Sequence, residues 1–146
     1  LKTWELHAKD IYGLCCTSDS NLLISASADG VVTLFDVTKQ EIRDTLSNTH
    51  KGMQRCLALS PSDTEFATGG YDKLIKIWPI FREEAKKRRP HILEGHDGHI
   101  LSVVFSPKGD RILSGGEDRT VRLWSLQDYT LLVTFRGHED KVKNVQ

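Results

Sequence analysis

Residues 114–126, SGGEDRTVRLWSL, decide the fold, because near copies of this stretch occur twice more in the chain. It aligns with residues 68–80, TGGYDKLIKIWPI, and with residues 25–37, SASADGVVTLFDV. The turn aspartates of the three copies are 43 and 46 residues apart, and the closing aromatic residues Phe35, Trp78 and Trp124 repeat both spacings. A shared period of this kind indicates a chain built from structural repeats.

A histidine precedes each copy, and a further one follows the last copy. The spacings are 43, 46 and 42 residues for His7, His50, His96 and His138. We therefore expect a single repeat-built segment over residues 1–146, with repeats at about 7–49, 50–95 and 96–137 and the start of a fourth at 138–146.

Within each period the pattern is that of short β-strands. An apolar run such as ILSVVFSP follows the histidine, and a turn such as SPKGD comes next, where proline and glycine supply turn geometry. Four short strands in about 43 residues cannot bury their own faces, so the repeats must stack. The prediction is an all-β fold. Residues 1–6, LKTWEL, are expected to form an outer strand of a preceding unit, and residues 145–146 to lie in the first strand of a following one.

Charge, apolar run length and cysteine content limit the classes of partner and compartment that the protein can have. The formal net charge is zero, with 38% hydrophobic and 27% charged residues, so no global charge draws the chain to nucleic acid or to an anionic membrane. The longest apolar runs are far shorter than the ~20 residues that span a bilayer. Cys15, Cys16 and Cys56 form no C-x-x-C pair. We interpret them as reduced thiols packed on strands, in an intracellular compartment, cytoplasmic or nuclear.

At these positions the chain resembles the WD-repeat β-propeller family. Gly95-His96 and Gly137-His138 match the glycine-histidine step of that family, and Leu123-Trp124 matches its closing aromatic. The dipeptide Trp-Asp is replaced here by Phe35-Asp36, Trp78-Pro79 and Trp124-Ser125, and His7 and His50 lack the preceding glycine. The resemblance implies a partial WD-repeat β-propeller of four-stranded antiparallel blades. We expect a segment of a longer propeller, or a chain of which two copies close a ring.

The resemblance also implies a buried chain of hydrogen bonds in each blade. Its members are His96, Ser114, Asp118 and Trp124 in the third repeat, His50, Thr68, Asp72 and Trp78 in the second, and His7, Ser25 and Asp29 in the first. The first chain is one link short, because Phe35 has no indole N–H.

A hydrolase triad of Ser, His and Asp is the alternative, but an enzyme needs one such set and this set recurs at every period. His96 and His99 alone are too few for a metal site. We therefore predict no catalytic, cofactor or metal residues.

A partner is expected on the rim of the central channel. In the family the exposed rim positions are the third and fifth residues after each histidine and the residue before each turn aspartate. Carried over, they are Asp10, Tyr12, Ala28, Met53, Arg55, Tyr71, His99, Leu101, Glu117, Lys141 and Lys143. Tyrosine, arginine and methionine are enriched at protein interfaces. The alternative is that these residues are merely exposed strand ends.

The leading function hypothesis is a non-catalytic scaffold that presents peptide- or protein-binding surfaces in a multiprotein complex. A ubiquitin-ligase substrate receptor is an alternative, weakened because no Trp-Asp-x-Arg motif is present. A nucleic-acid or chromatin-associated propeller is another. Its basic residues would be Arg55, Lys141 and Lys143, together with the run Lys86, Lys87, Arg88 and Arg89 in an insertion at residues 82–91. That run is either a nuclear localisation signal or a solvated loop.

Overall fold

The computed structural model describes residues 2–81 and 89–146, and their regular structure consists of β-strands. Three four-stranded antiparallel sheets confirm the predicted all-β fold. The first blade contains β1 (Ile11–Cys16), β2 (Leu22–Ser27), β3 (Val32–Asp36) and β4 (Glu41–Leu46). The second contains β5 (Gln54–Leu59), β6 (Glu65–Gly70), β7 (Ile75–Pro79) and β8 (His91–Leu93). The third contains β9 (Ile100–Phe105), β10 (Arg111–Gly116), β11 (Val121–Ser125) and β12 (Leu131–Phe135).

Each blade is a meander in which successive strands pair in chain order. Tight turns allow each strand to pair with the next one in the sequence, and the turn between β9 and β10 is an example. Gly109 adopts φ +73, a left-handed conformation that favours glycine, and its N–H donates to Ser106 O over 2.8 Å. The Ser106 hydroxyl oxygen accepts from Arg111 N over 3.1 Å. The SPKGD segment thus reverses the chain as its sequence predicts.

Two apolar layers, one between each pair of neighbouring blades, form the core. Ile24, Leu34 and Phe66 are fully buried between the first and second blades. Ile75 and Ile112 are fully buried between the second and third blades. Each such side chain contributes about 1.5–3 kcal/mol by leaving water. Stacking therefore supplies the burial that a single blade cannot provide.

Glycines in the second strands let the blades approach closely. A Cβ on Gly69 would lie 2.5 Å from Ile100 Cγ2 of the next blade, and one on Gly115 would lie 2.6 Å from Val142 Cγ1. Real Cβ atoms do not approach so closely, so a side chain at either position would push the neighbouring segment away. The Gly-Gly pairs thus serve close strand approach.

The two end segments differ from the prediction made from the sequence. Residues 2–10 contain no strand; instead the Trp4 ring lies 5.3 Å from the Phe35 ring. Residues 138–146 form no strand either, although Val142 N donates to Gly116 O over 3.0 Å. A strand requires a paired neighbour, and the described residues offer these segments no further strand to pair with.

Most of the basic insertion lies outside the described residues, which resume at Arg89. In the described part of the chain no helix has the length and apolar character needed to cross a membrane.

Candidate functional site

The most complete polar cluster lies in the third blade. His96 Nε2 is 2.7 Å from Ser114 Oγ, and His96 Nδ1 is 2.7 Å from Asp118 Oδ2. Trp124 Nε1 donates to Ser114 Oγ over 2.8 Å. Burial lowers the pKa of His96, against the opposing effect of Asp118. A neutral His96 that donates from Nδ1 and accepts the Ser114 hydroxyl at Nε2 gives every ring nitrogen a partner.

Asp118 anchors this cluster as an ionised carboxylate. It accepts from Thr120 N over 3.1 Å, Thr120 Oγ1 over 2.8 Å and Asp97 N over 3.0 Å. Arg122 Nη2 lies 3.6 Å from its Oδ2. Burial alone would raise the pKa of Asp118, but the hydrogen bonds from Thr120 and His96 outweigh burial and lower it to about 2. The charge is therefore compensated inside the protein.

The second blade repeats the arrangement. His50 Nδ1 is 2.7 Å from Asp72 Oδ1, and His50 Nε2 is 2.8 Å from Thr68 Oγ1. Trp78 Nε1 donates to Thr68 Oγ1 over 2.9 Å. Lys76 Nζ stands 3.6 Å from Asp72 Oδ2, at the position that Arg122 holds in the third blade. Threonine thus replaces serine without loss of the hydrogen-bond chain.

The first blade departs further from the pattern than its sequence predicts. His7 Nε2 is 2.7 Å from Ser25 Oγ, but His7 Nδ1 is buried and has no hydrogen-bond partner in the part of the chain that the structure describes. The Asp29 carboxylate instead accepts from Val31 N, within its own turn, over 3.0 Å. The expected Asp29 link is therefore wrong, and the chain is two links short. Thr33 stands where the other blades have Lys76 and Arg122, so in the described part of the chain no cation at this position pairs with the Asp29 carboxylate.

The first strand of each blade carries a β-bulge at one predicted rim residue. The pairing of β1 with β2 skips Tyr12, that of β5 with β6 skips Arg55, and that of β9 with β10 skips Leu101. A bulge leaves one residue out of the ladder and re-aims its side chain. These three side chains consequently turn toward a common cleft.

Seven of the predicted rim residues line this cleft, which has a volume of about 520 Å³. Residues of all three blades and of the segment 138–146 contribute to it. They are Tyr12, Arg55, Tyr71, Leu101, Glu117, Lys141 and Lys143. A second space of about 580 Å³ shares Tyr12, Arg55, Leu101 and Lys143 and continues along β5 and β9.

Side-chain contacts across the blade boundaries order the cleft. The Arg55 guanidinium lies 4.2 Å from the centre of the Tyr12 ring, a cation–π contact between the first and second blades. The Tyr71 and His99 rings stack at 4.0 Å with an interplanar angle of 4°, which joins the second blade to the third. The aromatic groups are thereby held in place before any ligand arrives.

Glu117 continues this chain of contacts. His99 Nδ1 is 3.0 Å from Glu117 Oε2, and Lys141 Nζ is 3.9 Å from Glu117 Oε1. Both Glu117 and Lys141 are more than one-third exposed, so this ion pair contributes little to stability. It fixes the direction of the side chains and leaves them open to solvent.

The other predicted rim residues lie outside the cleft lining. Asp10 O accepts from Ala28 N over 2.9 Å, and Met53 O accepts from Tyr71 N over 2.9 Å. Their backbones thus hold the turns that carry the lining residues. The His99 side chain contacts two lining residues, Tyr71 and Glu117.

Sequence reasoning missed two members of the buried networks, Lys76 and Arg122. A signal was present, because each cation stands four residues after a turn aspartate. It also missed a smaller cleft of about 200 Å³ at the opposite edge of the blades. Arg43 and Phe81 line it, with the guanidinium 5.1 Å from the ring centre.

The described residues contain no group of three or more His, Cys, Asp or Glu side chains arranged to hold a metal ion. Burial raises the pKa of Cys15 and of Cys56 to about 12, so these two thiols stay protonated. Cys16 is exposed at the end of β1 and is not packed as its sequence context predicts.

Three stacked four-stranded blades, each carrying all or part of such a network, define part of a β-propeller. The sequence profile of the WD40 family, "WD domain, G-beta repeat", matches residues 1–36, 41–79 and 87–125. The chain belongs to this family, which confirms the resemblance drawn from its motifs.

Solved structures and sequence relatives agree with this assignment. The chain is similar to the structure of U3-55K, with a TM-score of 0.86 and 23% identity over 96% of this chain and 43% of that one. It is similar in fold to the RRP9 WD40 repeats as well, with a TM-score of 0.84 and 23% identity, covering 96% of this chain and 42% of that one. A chromatin assembly factor 1 subunit of Mus musculus is 32% identical over 78 residues, 53% of this chain and 14% of that protein. The chain therefore spans less than half the length of each of these proteins.

Proposed function

We propose that the protein is a non-catalytic scaffold that binds peptide or protein partners through the cleft and thereby takes part in a multiprotein complex, inside the cell. The observation that carries this proposal is the convergence of seven side chains, from three blades and the last segment, on one open cleft. Tyrosine and arginine are common among residues that dominate binding energy. One sequence relative is named as a subunit of an assembly factor, and this supports the proposal that the protein takes part in a multiprotein complex.

The buried networks support the non-catalytic part of the proposal. Ser114 and Thr68 are fully buried, and each accepts a hydrogen bond from a tryptophan indole. A nucleophile needs access to its substrate, which these hydroxyls lack. By this proposal each repeat runs from histidine to histidine, at about residues 7–49, 50–95, 96–137 and from 138 onward. The Ser, His and Asp set then stabilises the blades that position the cleft.

A pull-down with mass spectrometry tests the proposal. The wild type is compared with the double variant Arg55→Ala plus Tyr71→Ala in cell extract. The matched control is Arg43→Ala plus Phe81→Ala, which removes an exposed arginine–aromatic pair from the smaller cleft at the opposite edge of the blades. Circular dichroism checks that both variants are folded. We expect a defined set of proteins to bind the wild type and the control and to be lost from the cleft variant. Retention of the whole set by the cleft variant would exclude the cleft as the docking site.

A nucleic-acid or chromatin-associated propeller is the second candidate. Arg55, Lys141 and Lys143 line the cleft, and one relative is named as a chromatin assembly factor subunit. Binding to phosphates releases counterions, so affinity for duplex DNA would fall steeply with salt. The affinity for labelled duplex DNA is measured at salt concentrations between 50 and 200 mM. An affinity that does not change with salt would exclude nucleic-acid binding as the function.

A further inference from the structure

We infer that the cleft selects peptide segments that carry an aspartate or glutamate side chain beside an apolar one; this inference rests on the proposed function of the cleft. It concerns the chemistry of the partner, which the family assignment leaves open. Both the charges of the lining residues and their contacts support it.

The cleft carries an excess of positive charge. Its lining contains three cations, Arg55, Lys141 and Lys143, and one carboxylate, Glu117. That carboxylate is already shared, because His99 Nδ1 lies 3.0 Å and Lys141 Nζ 3.9 Å from its oxygens. The whole chain has zero net charge, so this excess is local to the cleft.

Arg55 and Lys143 have no carboxylate within ion-pair distance among residues 2–81 and 89–146. The Arg55 guanidinium carbon lies 4.2 Å from the centre of the Tyr12 ring, a cation–π contact that occupies no N–H donor with a carboxylate. Uncompensated cations in a concave site focus a positive potential. An incoming carboxylate would therefore find ordered donors without displacing an internal partner.

The remaining lining groups favour a peptide as the source of the carboxylate. Leu101 and the Tyr71 ring offer apolar contact beside the cations. The volume of about 520 Å³ suits a few side chains of a peptide. A nucleic acid is held mainly through its phosphates, and the lining offers three cations for them, whereas a peptide would also use the apolar contacts of Leu101 and Tyr71.

Selection from a phage-displayed library of random peptides tests the inference, because it presumes no ligand. Asp and Glu are expected to be enriched next to apolar residues. The best peptide and its Asn or Gln counterpart are then measured by calorimetry on the wild type, on Lys143→Gln and on the control Lys108→Gln. Charge-assisted hydrogen bonds predict that the neutral peptide binds the wild type about tenfold more weakly. Lys143→Gln should abolish most of this preference, and Lys108→Gln should retain it.

Glu117→Gln is expected to change the affinity for an acidic peptide in the direction opposite to Lys143→Gln. Loss of the one lining carboxylate removes repulsion toward an acidic peptide and releases Lys141, so we expect binding to tighten by about threefold. A purely structural role of Glu117 predicts weaker binding instead. Tighter binding supports the inference, and weaker binding contradicts it.

The outcomes separate the inference from the proposed function. Enrichment of neutral or basic peptides that lose binding with Tyr71→Ala would overturn the inference and leave the cleft as a docking site. Acidic peptides that bind Lys143→Gln and Arg55→Ala as tightly as the wild type would place selectivity elsewhere, which also overturns it. If no peptide is selected while duplex DNA binds and loses affinity with Lys143→Gln, both the inference and the scaffold proposal fail.

Discussion

Asp118 and Glu117 are neighbours in one turn, yet they belong to regions of opposite character. The Asp118 side chain is 7% exposed and accepts hydrogen bonds from His96, Asp97 and Thr120. The Glu117 side chain is 36% exposed and pairs with His99 and Lys141, which are themselves more than one-third exposed, at the mouth of the cleft. The same comparison holds for Asp72 and Tyr71 in the second blade. The turn aspartate of a repeat is thus structural, because the fold satisfies its hydrogen bonds. The residue before it is available to a partner, because the fold leaves its side chain at the mouth of the cleft.

The largest effect is expected for Asp118→Ala. This change leaves His96 without its carboxylate and the buried Arg122 with only the exposed Asp97 carboxylate, 3.7 Å away, among the described residues. Breaking a buried pair costs about 3 kcal/mol or more in the free energy of unfolding. Asp29→Ala is the matched change in the first blade. Among the described residues it removes the acceptor of Val31 N alone, so it should cost about 1 kcal/mol. Urea denaturation measures both. Equal losses would show that the third network is no more important than the incomplete first one.

Exchange of the closing aromatic residues is expected to have a smaller effect. Trp124→Phe removes the donor to Ser114 Oγ and some buried volume, and should cost about 2 kcal/mol. Phe35→Trp supplies the missing N–H near Ser25, and should gain at most about 1 kcal/mol because the Trp4 ring must adjust. Thermal denaturation of the two variants compares them. A gain in stability from Trp124→Phe would contradict the role given to the indole.

Acid should destabilise the networks in two stages. Folding holds His96 neutral, with its pKa lowered from 6.5, so the unfolded chain binds more protons and the free energy of unfolding falls as pH drops through this region. The stability contributed by Asp118 is present above its unfolded pKa of 3.8 and is lost as pH falls toward about 2. Urea midpoints at pH 7.5, 5.5 and 3 should therefore decrease in that order.

His138→Gln is the control for the first stage, because His138 is exposed and, within residues 2–81 and 89–146, no hydrogen bond or ion pair links its side chain to the networks. We expect the variant to keep the full decrease between pH 7.5 and 5.5. A midpoint that stays constant or rises over this interval in the wild type would contradict a neutral, buried His96.

The smallest effect on stability is expected in the cleft. Arg55→Ala plus Tyr71→Ala should change the free energy of unfolding by about 0.5 kcal/mol per residue at most, since both side chains lie at the open edge. Partner capture, in contrast, should be lost. A stability loss comparable to that of Asp118→Ala would erase the distinction between the two regions.

The period of the repeats predicted the blades and the turns, and the family resemblance implied most of the network residues. The resemblance also implied the rim residues that line the cleft, because the family's rim positions are counted from each histidine and each turn aspartate. It did not predict the bulges at Tyr12, Arg55 and Leu101, since a bulge depends on pairing between strands and not on the residues of one strand. It did not predict that Asp29 fails to reach His7 either, because that contact depends on the residues that surround Asp29 in the folded blade. Thr33 in place of a cation is visible in the sequence, but its consequence appears only in three dimensions.

Site-specific photo-crosslinking tests most directly whether the cleft is the docking surface. A benzophenone-bearing phenylalanine is placed at position 71 in the cleft and, in a separate variant, at position 42 on the exposed outer strand β4. After irradiation in cell extract, we predict covalent capture of partner proteins from position 71 and little or none from position 42. Capture from position 42 alone would contradict the account and move the docking surface to the outer edge of the blades.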